Sequence, residues 1–119
     1  MGVSDLQDFL EERAGSLYRG MVRYDGDTTD VLYLRDDVRE ERMRSEIDRM
    51  LRRLRPESKS KETQSFPFGQ LYATVRSFEE AVIMHFPIGR DRGIVVSLEP
   101  GAAKSLNTFI RRCQQRLHG

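Results

Sequence analysis

FPFGQLYATVRSFEEAVIMHFPIGRDRGIVVSL, residues 66–98, alternates apolar and polar positions in three successive runs. Leu71, Ala73 and Val75 interleave with Tyr72, Thr74 and Arg76; Val82, Met84 and Phe86 interleave with Ile83 and His85; Ile94, Val96 and Leu98 follow with Val95 between them. A period of two is that of a half-buried strand. The separators are Ser77 to Glu80 and Pro87 to Gly93, the second with two glycines for positive φ and a proline that cannot donate to a ladder. Connections this short make neighbouring strands pair antiparallel, as a meander. Val82, Met84, Phe86, Ile94, Val96 and Leu98 are then core residues, and Gln70–Ser77 is a strand at risk of lying on a sheet edge.

Upstream, Leu6, Phe9 and Leu10 opposite Asp5, Asp8, Glu11 and Glu12 describe a short amphipathic helix over residues 4–14, ended by Gly15. Leu17–Tyr24 reads as a strand with Tyr18, Val22 and Tyr24 on one face, and Val31–Arg35 as its hairpin partner beyond the turn-rich residues 25–30. From Asp36 a second helix carries Met43, Ile47, Met50, Leu51 and Leu54 down one stripe, acidic at its start and arginine-rich at its end, as the helix dipole favours. Pro56 stops it, and the polar residues 56–65 form a mobile loop. After Glu99-Pro100-Gly101 a last helix aligns Ala103, Leu106, Phe109, Ile110, Cys113 and Leu117, so that Cys113 is expected in the core. The fold class is α+β: a five-stranded antiparallel sheet with helices on both faces, in the order α-β-β-α-β-β-β-α, as one domain over residues 1–119.

Charge narrows the function classes. The 20 basic and 19 acidic residues nearly cancel, so no global field attracts phosphate backbones. All the basic residues but Lys59, Lys61 and Lys104 are arginine. No apolar run approaches the roughly 18 residues of a membrane span, and the acidic start lacks the basic and apolar regions of a signal peptide, which predicts a cytoplasmic protein without a membrane partner. The single cysteine excludes an internal disulfide and a thiolate metal cluster.

A search for chemistry ends without a catalytic residue, a cofactor loop or a metal site. Asp25, Asp27 and Asp30 have the look of calcium ligands, but the loop has Asp30 where an EF-hand needs glycine and Asp36 where it needs glutamate. A solvated hairpin tip is the better reading. His85 and His118 are too far apart in sequence to argue zinc with one cysteine, and Gly89-Arg90-Asp91-Arg92-Gly93 is no nucleotide-binding loop. No cofactor is expected, and the chain reads as non-enzymatic.

The order of elements, nearly the whole chain long, resembles the roadblock/LC7 fold and its longin and profilin-like relatives. The segments Val31–Val38 and Phe66–Leu71 are similar to small haloarchaeal proteins. The roadblock resemblance implies a dimeric adaptor or regulator acting on a small GTPase or a signalling or motility complex, with the middle helix and the edge strand meeting their copies across a two-fold axis. On that expectation Met43, Ile47, Met50, Leu71, Ala73 and Thr74 form a homodimer interface. The alternative is a small nucleic-acid-associated protein using Arg49, Arg52, Arg53, Arg111, Arg112 and Arg116 as a basic patch.

Overall fold

A computed structural model describes residues 2–39, 43–58 and 65–118. Helix α1 (Val3–Ala14) leads through a 3-10 turn into β1 (Tyr18–Asp25) and β2 (Thr28–Leu34). Helices α2 (Asp36–Arg39) and α3 (Met43–Leu54) follow, then a two-stranded ribbon of β3 (Ser65–Phe66) and β4 (Gly69–Gln70). Strands β5 (Thr74–Ser77), β6 (Val82–Gly89) and β7 (Arg92–Leu98) precede the last helix, α4 (Lys104–His118).

The main sheet is antiparallel throughout, in the order β2-β1-β7-β6-β5. The meander is therefore as expected, and its last strand joins the N-terminal hairpin at the centre. One face packs Tyr18, Met21, Val82, Ile94, Val96 and Leu98 beneath Leu10 of α1. The other packs Val22, Tyr24, Ile83 and Val95 beneath Ile47, Leu51 and Leu54 of α3. At about 25 cal/mol per Å² of apolar surface, two such layers are the main source of stability.

Strand β1 departs from strict alternation. Tyr18 and Met21 share the α1 face, whereas the sequence pattern sets Tyr18 with Val22 and Tyr24; a register shift between Tyr18 and Gly20 inverts the alternation. Gly20 permits this, because a Cβ there would stand 3.0 Å from both the Tyr33 carbonyl and Leu34 Cδ2.

Turns are tighter than expected. Strand β2 begins at Thr28, leaving Gly26 (φ 59°) and Asp27 as a two-residue loop. Strands β6 and β7 run on through Gly89 and Arg92, with Asp91 at φ 57° in the turn between them. Strand β5 is shorter than Gln70–Ser77, because Gly69 and Gln70 pair back onto Ser65 and Phe66. It is nonetheless the sheet edge. Residues 55–58 form a 3-10 turn packed on the sheet rather than the start of a mobile loop, and Ser65 is in a strand; residues 59–64 lie outside the described residues.

The largest departure is α4. Asn107 is buried at its first turn, where Nδ2 donates to the Pro100 carbonyl at 3.1 Å and Oδ1 accepts from Ser77 Oγ at 2.8 Å. Beyond it, residues 108–117 are exposed on every side of the helix. Cys113 is thus exposed and not a core residue: of the stripe that periodicity assigns to the core, Ala103 packs on the sheet, while Phe109, Cys113 and Leu117 beyond the anchored first turn stay exposed among the described residues.

Candidate functional site

The α3 face carries a polar network that crosses the sheet. Tyr24 on β1 and His85 on β6 are both buried, and the Tyr24 hydroxyl lies 2.7 Å from His85 Nε2. On its other side, His85 Nδ1 lies 3.2 Å from Glu57 Oε2, while Glu57 Oε1 accepts from Arg76 Nη2 at 2.5 Å. Glu57 comes from the 3-10 turn after α3, whose Arg55 donates to the Gly26 carbonyl and to Thr29 Oγ1 and stands 5.3 Å over the Tyr24 ring. A carboxylate can only accept, so the proton of neutral His85 belongs on Nδ1 and Tyr24 donates to Nε2. Burial holds the His85 pKa below 6.5, and the neighbouring Glu57 opposes the shift in part. At 0 % and 1 % exposure, Tyr24 and His85 are closed to any substrate atom in this conformation. What the network does is clamp the end of α3 to both halves of the sheet. The sequence places His85 opposite Val82, Met84 and Phe86, and the structure agrees; its partners lie far off in sequence and carry no motif.

Beside this network a groove of about 550 Å³ runs between α3 and the sheet. Its lining includes Gly20, Val22, Ile83 and Val95 of the sheet, and its charged residues are Arg19, Glu46, Arg49, Arg53 and Arg76. Arg19 donates to Ser97 Oγ and Arg76 to Glu57, whereas Arg49 and Arg53 have no ion pair among the described residues.

The interface expected on the middle helix is not available as drawn. Ile47 is 8 % exposed and Met50 half-buried, both packed in the cluster with Val22 and Ile83, so the sheet absorbs that stripe. The Met43 side chain lies outside the described residues. Leu71 and Ala73 are half-buried but precede β5, and Thr74 is half-buried on β5 with its hydroxyl 3.4 Å from Glu57 Oε2. Arg49, Arg52 and Arg53 are exposed on α3 and Arg111, Arg112 and Arg116 on α4. The hairpin aspartates are spread over neighbouring strands: Asp30 pairs with Arg23 at 3.0 Å and Asp25 with Arg92 at 3.7 Å. Among the described residues no group of three or more His, Cys, Asp or Glu could hold a metal ion. No helix among them is long and apolar enough to cross a membrane.

The surface that sequence reasoning missed is apolar. Leu106, Phe109, Ile110 and Leu117 stand 46 %, 65 %, 38 % and 78 % exposed on α4. On the α1 face, Val75 is 47 % exposed and Met84 and Phe86 are only half covered. The signal was present as the α4 stripe, but a stripe does not say whether its cover is in the same chain.

A family model described as a domain of unknown function, DUF7522, matches residues 4–118. No curated protein matches the chain, and no solved structure matches it.

Proposed function

The chain belongs to the DUF7522 family, whose model spans residues 4–118, and from that premise we propose that it is a non-enzymatic, self-associating interaction module, an adaptor or regulator. The observation that carries this is the bare apolar stripe of α4. Monomeric soluble proteins rarely leave large contiguous apolar surface in water, and a patch of this kind marks a contact with another macromolecule. The likeness of the element order to the roadblock fold supports a dimeric adaptor in the cytoplasm, working on a small GTPase or a signalling or motility complex. The α3 groove, where Arg49 and Arg53 have no ion pair among the described residues, offers a second surface for an acidic protein partner. Sedimentation equilibrium at micromolar concentration tests the reading. A dimer mass that falls to the monomer in Leu117→Asp supports it; a monomer at all concentrations removes it.

A second reading rests on α4 as well. Lys104, Arg111, Arg112 and Arg116 occur on that helix without an acidic residue, and a projecting basic helix suits a phosphate backbone. Binding to duplex DNA that weakens steeply with salt, and is lost in the triple Arg→Gln variant of α4, would favour it over the adaptor.

A further inference from the structure

The two bare apolar surfaces belong to the same chain and differ in shape. One is a ridge, the stripe of α4. The other is a shelf on the α1 face, where Val75 of β5 and Met84 and Phe86 of β6 are only partly covered. Val75 and Met84 are partners in the β5–β6 register, so their side chains stand side by side on that face, with Phe86 beyond them. Helix α1 lies toward the opposite edge, where Gln7 Nε2 donates to the Leu32 carbonyl of β2 at 3.4 Å.

We infer that α4 of each chain docks on the open β5–β6 half of the sheet of a second copy, beside that copy's α1, in a reciprocal helix exchange. This rests on the self-association proposed above and names its partner surface. Three observations select this occupant. Among the described residues no helix covers the shelf, and α4 is a helix with an apolar face to cover. Helix α1 is net acidic, with Asp5, Asp8, Glu11 and Glu12 against Arg13, while α4 carries Lys104, Arg111, Arg112 and Arg116 and no acid, so the two helices that the exchange sets on one sheet face have opposite net charge. Pairing α4 with α4 of the second copy would instead bring like charges together. Docking on its own sheet is opposed by Asn107: its hydrogen bonds to Pro100 and Ser77 hold the first turn in the direction that carries α4 away. A reciprocal exchange has two-fold symmetry and closes, covering both shelves and both ridges.

Cys113 lies on the docking ridge and is the chain's one thiol, which provides the test. A wild-type chain is mixed with a differently tagged Met84→Cys, Cys113→Ser chain, allowed to exchange, and oxidised with diamide, which takes up the two electrons and two protons of disulfide formation. The expected product is a disulfide joining Cys113 of one chain to position 84 of the other, with the sheet intact by circular dichroism. Leu117→Asp is expected to weaken association at least tenfold. An intrachain link in diluted Met84→Cys chain that keeps Cys113 would overturn the exchange, showing α4 on its own sheet. Cys113-to-Cys113 links alone would overturn it in favour of helix pairing. A dimer mass with no mixed link overturns this docking and leaves self-association standing, whereas a monomer mass at every concentration removes both.

Discussion

The Tyr24 hydroxyl reaches His85 Nε2 at 2.7 Å although β7 stands between their strands. Gly93 makes this possible. It pairs with Tyr24 on one side and Pro87 on the other, and its missing side chain leaves the space through which the Tyr24 ring crosses β7. A Cβ at Gly93 would run into the Tyr24 ring and hydroxyl. This glycine serves a close approach rather than a turn, and its φ is not positive.

Gly93→Ala should therefore be among the most damaging small substitutions, costing on the order of 1–3 kcal/mol through overpacking. Gly2→Ala, where a Cβ meets nothing within 4 Å, is the control. Urea midpoints of the two variants check this; equal midpoints would contradict the crossing.

Tyr24→Phe keeps the ring and removes the donor, leaving His85 Nε2 buried without its partner. The expected loss is about 1–3 kcal/mol, the cost of an unsatisfied buried group. Equilibrium unfolding with an unchanged m-value would attribute it to the native state; an unaltered midpoint would mean that the hydrogen bond contributes nothing.

The His85 pKa lies below 6.5 in the folded chain, so just below pH 6.5 the unfolded chain binds the proton and the folded chain does not. Stability from this residue is full above that pH, declines as pH falls through the window between the two pKa values, and levels off below the folded value. Urea midpoints at about pH 7.5 and about pH 5 should show the decline, reduced in His85→Gln. A His85 imidazole titrating at or above 6.5 by NMR would reverse the sign.

Tyr18 is buried with its hydroxyl unpartnered among the described residues, its ring 4.5 Å from that of Tyr33. Burial first, and Glu11 second, push its pKa up to about 12. Tyr18→Phe removes a desolvated donor and keeps the packing, so it should be neutral or stabilising by up to about 1 kcal/mol. A clear loss in thermal midpoint would reveal a partner for that oxygen.

Cys113 reports on α4. In the isolated chain its exposure predicts rapid labelling by a thiol reagent without unfolding, the reverse of what its place in an apolar stripe suggests. In the exchanged dimer the labelling rate should fall as protein concentration rises. A rate independent of concentration would argue against docking of this ridge.

Much of the fold was legible in residues 66–98 and in the two upstream helix patterns, because a period of two or of 3.6 fixes which side of an element is apolar. That is a local property, and it located the three meander strands, the edge at β5 and the stripe of α3. What covers an apolar side is not local. The stripe Met43–Leu54 and the stripe Leu106–Leu117 look alike as sequence, yet Ile47, Leu51 and Leu54 found the sheet while Phe109 and Leu117 found solvent. The difference lies in how each helix is anchored: Arg55 and Glu57, in the turn after α3, tie its end onto the sheet, whereas α4 is held through Asn107 of its first turn and residues 108–117 stay exposed. The bulge at Gly20 and the pairing of β1 with β7 were equally out of reach, since both depend on register between segments far apart in the chain. Tyr24 and His85, 61 residues apart, became partners only once that register was set, because a hydrogen bond across a sheet requires two side chains on one face and a glycine in the strand between them.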